Sequence, residues 1–425
     1  MTRMQMPALP PMLGDGEGRH FFVRIARSAG RWARQGDPVQ KGTVGFWEFE
    51  NSHVTTRGAR VVPRTTNGGK LRKGCLREVP IAVSALKLTM ALARSGATLA
   101  PDQRTGFWRA LAAYARIREA CLWQGNELRA RPHLLQTLRD SSRTALAGDL
   151  GQAMTWLYAT ETLKMSAVVD FGVGCGLLAA PVPGPKTFNK RPDFMAAKGA
   201  LTDVVLLESK GMILRQAGDT SWRGGLVDGL EQTAAGCEWL KRHGSAAVVA
   251  NKYAVSFGLV EQGPSLAVVV DPPEEPGPEL DARKQLALLR QHAANWALAA
   301  GEFELASALV APERTRERMR LVESLPEIKR HGVAVKFGIR WRRPWNARPG
   351  PIHLISSDLI RAVAQDNLEG ALVAIAAFND GFGAYSRTGG LGTIDRADDD
   401  RFVELLPDGT GAEWWFGDGM IDELG

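Results

Sequence analysis

The sequence predicts an α/β protein, α+β overall, in which a central mixed β-sheet is flanked by helices. Two observations carry this prediction. Short apolar runs alternate with one strong helical pattern between residues 167 and 270, which is typical of a sheet covered by helices. At 425 residues, with 44% hydrophobic and 23% charged side chains, the chain has an ordinary globular composition and the length of two or three domains.

Changes of pattern along the chain predict three regions. Residues 1–145 are expected to form a basic, mainly helical N-terminal region with short strands at 43–65. Residues 146–275 are expected to form the central α/β domain. The segment "DPPEEPGPEL" at 271–280 holds four prolines and four acidic residues, which indicates a linker. Residues 276–425 are therefore predicted to form a separate C-terminal α/β domain of unknown role.

Basic residues are concentrated at one end of the chain. Residues 1–150 hold 24 Lys and Arg against 11 Asp and Glu, a balance of +13, whereas the rest of the chain sums to −6. A helical spacing near the N-terminus places four arginines on one face: Arg24, Arg27, Arg31 and Arg34. Guanidinium groups bind phosphate through paired donors, so these residues, together with Arg191, are predicted to bind nucleic acid. A solvated helix face explains the same spacing equally well.

Several classes of protein are disfavoured by the sequence. No apolar run approaches the roughly 20 residues that a membrane-spanning helix needs, and the N-terminus lacks the apolar stretch of a signal peptide. The four cysteines lie far apart, which argues against a zinc site or a disulfide framework. We therefore expect a cytoplasmic protein with no membrane partner. A protein partner or a homo-oligomer is left open.

The strongest chemical pattern lies between Asp193 and Lys210. Val204–Leu207 form an apolar run typical of a buried strand, and Glu208 and Lys210 follow on one side of it by strand alternation. A glycine-containing turn at 195–203 is expected to pair this strand with "RPDF" and to carry Asp193 beside Glu208. Two carboxylates at one point suit Mg²⁺ or Mn²⁺. Lys210 would orient an attacking water or stabilise developing charge.

Pro192-Asp193, a fourteen-residue gap and Glu208-Ser209-Lys210 resemble the signature of the PD-(D/E)xK, or restriction-endonuclease-like, nuclease superfamily over about residues 146–275. The resemblance implies an α-β-β-β-α-β core that hydrolyses phosphodiester bonds of nucleic acid with Mg²⁺ or Mn²⁺. It also implies that Asp193, Glu208 and the backbone carbonyl of Ser209 bind the metal and that Lys210 assists hydrolysis.

Two more site residues are implied by the same resemblance. Many members carry a glutamate on the helix before the core, and Glu161 in "MTWLYATETLKM" suits this role as a further metal ligand. Exonuclease-like branches carry a glutamine on the helix after the lysine, and Gln232 has a comparable place. A nuclease with large flanking regions resembles a bacterial restriction or phage-defence effector, with DNA favoured over RNA as substrate.

Two alternatives remain at this point. The segment "VVDFGVGCG" spaces Asp170, Gly172, Gly174 and Gly176 in a way that resembles the first motif of S-adenosylmethionine-dependent methyltransferases. That cofactor loop needs a helix directly after it, and the prolines within 181–185 oppose a long one. The segment is therefore expected to contain the first strand of the nuclease core. The other alternative is a catalytically inactive nuclease fold that binds nucleic acid as a scaffold.

Overall fold

A computed structural model describes most of the chain from Lys41 onwards. The described residues are 41–50, 65–66, 70–71, 75–95, 105–178, 180, 190–198, 204–216, 222–243, 249–271, 280–311, 313–330, 333–337, 352–389 and 401–415. The predicted arginine helix near the N-terminus and most of the predicted linker lie outside them. Within these ranges, no helix combines the length and the hydrophobicity needed to cross a membrane.

A nine-stranded mixed sheet forms the centre of the molecule. In chain order, the first eleven strands are β1 (Lys41–Glu50), β2 (Thr65–Thr66), β3 (Lys70–Leu71), β4 (Cys75–Ser84), β5 (Cys121–Gln124), β6 (Glu127–Ala130), β7 (Met165–Asp170), β8 (Phe194–Lys198), β9 (Val204–Leu214), β10 (Val249–Val260) and β11 (Leu266–Asp271). The sheet order is β5-β6-β1-β11-β10-β9-β8-β7, with β4 also paired to β1, while β2 and β3 form a separate ribbon. Because β9 and β10 are parallel whereas β7, β8 and β9 are antiparallel neighbours, the predicted mixed sheet is confirmed.

Helices cover both faces of this sheet. They are α1 (Ala85–Ser95), α2 (Thr105–Ala120), α3 (Leu134–Thr137), α4 (Asp140–Leu157) with a π-helical turn (Tyr158–Thr162), α5 (Phe171–Leu177) and α6 (Trp222–Arg242). On one face, Leu150 of α4 belongs to the same core as Val205 and Leu207 of β9. On the other face, Leu226 of α6 packs with Leu214. Strand β9 is therefore enclosed between α4 and α6.

The first 145 residues contribute strands to the central sheet. Of the range 43–65 predicted to hold short strands, residues 43–50 belong to one ten-residue strand, β1, which pairs with β11 in parallel register, and residues 51–64 lie outside the described residues. The stretch predicted as helical also contains the β5–β6 hairpin, whose turn includes Gly125 at a φ of 59°. Glycine adopts this conformation without the steric cost that a side chain adds. The described residues therefore share one sheet across the boundary predicted at residue 145.

The C-terminal residues form a second sheet and a helical layer. The strands are β12 (Glu327–Arg330), β13 (Val333–Phe337), β14 (Ile352–Ser356), β15 (Arg401–Leu405) and β16 (Thr410–Trp415), in the order β12-β13-β14-β16-β15. The helices are α7 (Ala282–Ala299), α8 (Phe303–Val310), α9 (Thr315–Glu323), α10 (Ser357–Ala364) and α11 (Leu368–Gly389).

The packing of α7 corrects the expectation of a separate C-terminal domain. Leu288 and Trp296 of α7 lie in one core cluster with Val169 of β7. In addition, the Val168 N–H donates to Nδ1 of His292 at 3.2 Å, so α7 satisfies part of the free edge of the central sheet. A proline-rich linker predicts a break in secondary structure, but it does not predict whether the flanking regions share a core.

Candidate active site

The β8–β9 hairpin brings the two predicted carboxylates together. Phe194 lies opposite Leu207 in the antiparallel register, so Asp193, one residue earlier, lies opposite Glu208 where β8 begins. Side chains directly opposite each other on neighbouring strands have Cβ atoms about 4.5–5.5 Å apart. The hairpin predicted from the sequence is therefore confirmed, and it places both carboxylates at one point of the sheet.

Helix α6 lies directly above Glu208 and Lys210. A Cβ atom added to Gly229 would lie 3.3 Å from Cγ of Glu208, and one added to Gly225 would lie 3.4 Å from Cβ of Lys210. These two glycines allow the helix to approach the strand closely. As a result Glu208 is only 2% exposed, whereas the Lys210 side chain keeps 27% of its surface in solvent. The site is therefore closed above the glutamate and open at the lysine.

A second pair of glycines lets α4 contact the opposite face of β9. A Cβ atom on Gly151 of α4 would lie 2.7 Å from the Gly211 backbone nitrogen, and one on Gly211 would lie 1.6 Å from the Ala147 carbonyl oxygen. A side chain at either position would push α4 away from β9. The backbone of β9 next to Lys210 is thus fixed by contact between two backbones.

Ser209 connects Asp193 to the strand that carries Glu208. One Asp193 oxygen, Oδ2, accepts a hydrogen bond from the Ser209 N–H at 2.9 Å and another from the Ser209 hydroxyl. In an extended strand the N–H and C=O of one residue point to the same side. The Ser209 carbonyl is therefore directed towards the side of β9 on which Asp193 lies, where the resemblance implies a metal ligand.

Lys210 and Gln232 form the polar side of the site. Nζ of Lys210 donates to Oε1 of Glu208 at 2.7 Å and also to Oε1 of Gln232. Nε2 of Gln232 donates to the Arg191 carbonyl at 3.1 Å. Gln232 thus joins the lysine to the segment just before Asp193. Arg191 is exposed beside this cluster.

The electrostatics of the two carboxylates fit a bound cation. Burial and the nearby charge of Asp193 raise the pKa of Glu208 to about 8, despite the opposing charge of Lys210. Burial also raises the pKa of Asp193, although hydrogen bonds from Ser209 oppose this shift. Oε2 of Glu208 is buried and has no hydrogen-bond partner among the described residues. A divalent cation is a partner that would satisfy this oxygen and favour the charged forms.

This site offers few groups that could bind a metal ion. Among the described residues, no group of three or more His, Cys, Asp or Glu side chains is placed to hold a metal ion. The candidate centre therefore offers two carboxylates and one backbone carbonyl. Such a set leaves several positions for water or phosphate, as Mg²⁺ prefers.

Glu161 does not join this site, which corrects the role that the resemblance implied. It lies in the π-helical turn and forms an ion pair with Lys87 at 2.8 Å. Strand β7 begins at Met165, just after this turn, and reaches Asp193 only at its other end. Six strand residues span roughly 20 Å, so Glu161 is too far away to share a cation with Asp193 and Glu208.

The glycine-rich segment after β7 is a short helix, and the aspartate that caps it lies next to the backbone of Asp193. Asp170 ends β7 and caps the seven-residue helix α5, where its Oδ1 accepts from the Val173 N–H at 3.0 Å. The Phe171 N–H donates to the Asp193 carbonyl at 3.0 Å. An aspartate at the end of an apolar strand was the available signal for this residue, but the glycines after it suggested a cofactor loop instead.

No known protein family, curated protein or solved structure matches the chain. The functional argument is therefore carried by the geometry of the site. That geometry brings together six of the predicted residues, namely Arg191 through its backbone carbonyl, Asp193, Glu208, Ser209, Lys210 and Gln232. The four arginines predicted to bind nucleic acid near the N-terminus, Arg24, Arg27, Arg31 and Arg34, lie outside the described residues.

Proposed function

We propose that the chain is a metal-dependent nuclease that hydrolyses phosphodiester bonds of nucleic acid, with DNA as the favoured substrate. The observation that supports this most strongly is the hairpin register that sets Asp193 opposite Glu208, with the ammonium group of Lys210 at 2.7 Å from Glu208. Two acidic side chains and a partly exposed lysine at one point match the chemistry of phosphodiester hydrolysis.

The order of elements around the site supports the same proposal. Helix α4 is followed by β7, β8 and β9, then by α6 and β10, apart from the short helix α5. The first three strands are antiparallel neighbours and the fourth is parallel to the third. This is the α-β-β-β-α-β order that the resemblance to PD-(D/E)xK nucleases implies. The restriction-endonuclease-like fold is part of the proposal.

Each site residue has a distinct chemical role in this proposal. Asp193, Glu208 and the Ser209 carbonyl would hold Mg²⁺ or Mn²⁺, which polarises a phosphate and lowers the pKa of water when bound. Lys210 holds a positive charge at the open side of the site, where a phosphate can approach. Gln232 fixes the lysine by accepting one of its hydrogen bonds. Arg191, exposed next to Gln232, would contact the nucleic-acid backbone.

The alternatives receive less support from the structure. Methyltransferase-type cofactor sites form at the carboxyl ends of parallel strands, whereas β7 is the edge strand of the sheet and is antiparallel to β8. The glycines that suggested a cofactor loop lie within a helix, where Gly174 packs against Met195. An inactive scaffold would have the same fold but would not need a buried carboxylate oxygen without a partner.

A cleavage assay tests the proposal. Supercoiled plasmid, linear DNA and single-stranded RNA are each incubated with the protein in Mg²⁺ or Mn²⁺, beside the variants Asp193→Ala and Lys210→Ala. We expect metal-dependent cleavage by the wild-type protein and its loss in both variants. Lys198→Ala is the matched control, because Lys198 is exposed at the far end of β8.

The outcomes separate the three functions. Cleavage by Asp193→Ala at the wild-type rate would contradict the assignment of Asp193 to the active site. Binding of DNA without cleavage under every metal condition would favour the inactive scaffold. Binding of S-adenosylmethionine in a calorimetric titration would favour the methyltransferase. A role in bacterial restriction or phage defence is the biological context we propose for the nuclease, and protection of cells from phage that is lost in Lys210→Ala would support it.

A further inference from the structure

Asp170 lies beside Asp193 at the edge of the central sheet. It is the last residue of β7 and lies opposite Phe194 in the antiparallel pairing with β8. The next residue, Phe171, donates its N–H to the Asp193 carbonyl at 3.0 Å. Backbone hydrogen bonds thus place the backbone of Asp170 next to that of Asp193, one of the two acidic residues of the candidate metal site.

The helix cap uses only part of the Asp170 carboxylate. Its Oδ1 accepts a hydrogen bond from the Val173 N–H, whereas an ionised carboxylate has about four acceptor positions on its two oxygens. The pairing of Phe171 with the Asp193 carbonyl keeps this carboxylate within one residue pair of the candidate metal site. Asp170 therefore adds negative charge where the site already holds two buried carboxylates.

A second observation points to a cation at this place. Oε2 of Glu208 is buried, belongs to a residue that is 2% exposed, and has no hydrogen-bond partner within the described ranges. The one lysine of the site, Lys210, donates to the other oxygen of Glu208. The single positive charge of Lys210 does not balance the negative charges of the Asp170, Asp193 and Glu208 carboxylates.

We propose that Asp170 is a positioning residue of the metal centre, in the outer coordination shell of the cation, where it accepts hydrogen bonds from the water ligands of that cation. The inference rests on the proposed nuclease function. Mg²⁺ in proteins keeps several water ligands, and carboxylates outside the first shell orient such ligands.

Mn²⁺ titration of variants that keep the helix cap tests this role. Asn and Ser both cap helices well, so Asp170→Asn and Asp170→Ser remove the charge while α5 keeps its cap. Asp281→Asn is the matched control, because Asp281 caps α7 with a hydrogen bond from the Lys284 N–H at 2.9 Å. We expect Asp170→Asn to weaken Mn²⁺ binding measured by calorimetry about tenfold or more, with an unchanged thermal midpoint in the metal-free protein. The control should bind like the wild type.

The titration also separates this inference from the proposed function. If Mn²⁺ binds both Asp170 variants with wild-type affinity while Asp193→Asn loses binding, Asp170 is only a helix cap and the inference fails alone. If the wild-type protein binds no Mn²⁺, the metal site and the role of Asp170 fail together. If Asp170→Asn lowers the thermal midpoint, the affinity of Asp170→Ser, measured on folded protein, decides the question.

Discussion

Glu208 in the candidate site and Asp408 in the turn between β15 and β16 are both almost fully buried, at 2% and 0% exposure. Their surroundings differ. Asp408 accepts from Nε2 of His292 at 2.9 Å and from the Thr410 N–H at 3.1 Å, and Arg94 lies 3.4 Å away. Burial acts to raise the pKa of Asp408, but the hydrogen bond from His292 and the charge of Arg94 outweigh it and lower the pKa. For Glu208, burial prevails and the pKa rises to about 8.

The difference separates a structural carboxylate, Asp408, from Glu208, which we propose to be functional. Around Asp408 the protein supplies its own partners, contributed by α1, α7 and β16. Around Glu208 one oxygen has the lysine and the other has no partner among the described residues. Carboxylates with strongly perturbed pKa values cluster at functional sites.

The largest effect on stability is expected from removing the charge of Asp408, the carboxylate whose partners the protein itself supplies. Asp408→Asn leaves the Arg94 guanidinium buried without its counterion, and breaking a buried ion pair in this way costs about 3–5 kcal/mol. Chemical denaturation should therefore show a large loss of unfolding free energy for Asp408→Asn. The exposed Asp281→Asn should be close to the wild type, and a loss below about 1 kcal/mol in Asp408→Asn would contradict the structural role.

The next effect concerns activity rather than stability. Lys210→Ala removes the positive charge at the open side of the site, and loss of one preorganised charge-stabilising group lowers the rate of reaction by about 10²–10³-fold. Single-turnover cleavage of DNA measures this loss. Asp408→Asn, assayed at a temperature where it is folded, should keep a cleavage rate within about tenfold of the wild type. Equal losses of rate in both variants would contradict the distinction between a structural carboxylate at Asp408 and a catalytic site at Lys210.

A smaller effect on stability, of opposite sign, is expected from removing the charge of Glu208. The pKa of Glu208 is about 8 in the folded protein and near 4.5 when unfolded. As the pH rises, the unfolded chain loses its proton first, so the stability of the metal-free protein falls between these values. Glu208→Gln removes this loss and should stabilise the metal-free protein by about 1–2 kcal/mol at pH 9. Denaturation at pH 5 should show little difference, and destabilisation at pH 9 would be contrary to this account.

The smallest effect concerns His353, which is buried close to Arg94. Burial and the charge of Arg94 lower the pKa of His353 from 6.5 to about 3. As the pH falls below 6.5, the unfolded chain binds this proton first, so stability is lost towards acid. Between pH 6.5 and pH 5.5 we expect about 1 kcal/mol of loss from this group. In denaturation curves measured at both pH values, His353→Phe should lose about 1 kcal/mol less unfolding free energy than the wild type between pH 6.5 and pH 5.5. An equal loss in both proteins would contradict this role of His353.

The sequence predicted the hairpin at the site because its signals are local. An apolar run followed by Glu208 and Lys210 defines a strand and its faces, and strand alternation needs no knowledge of distant residues. The helix carrying Gln232 follows directly, so its position above the strand is also determined over a short distance. The structure brings this glutamine into contact with Lys210.

The roles of Glu161 and Asp170 could not be separated from sequence alone. The resemblance implies that Glu161, on the helix before the core, binds the metal, but the direction in which that helix passes β7 decides which end of the strand Glu161 reaches. Asp170 was hidden in a segment whose glycines suggested a loop, whereas they lie in a short helix that packs on Met195. Both outcomes depend on tertiary packing, which propensity and spacing do not encode.

Long-range pairing explains the remaining differences. Strand β1 pairs with β11, more than 200 residues away in the chain, and the apolar pattern of either strand does not specify this partner. The C-terminal hairpin reaches α1 through Arg94 and Asp408. Such contacts join regions that composition had assigned to separate domains.

The central claim is that Asp193 and Glu208 share a divalent cation, and an anomalous difference map from crystals soaked in Mn²⁺ tests it most directly. We predict a single strong peak in contact with both carboxylates and next to the Ser209 carbonyl, and no such peak in crystals of Glu208→Gln. A well-ordered site with no peak between Asp193 and Glu208, or with Mn²⁺ bound only elsewhere, would contradict the claim.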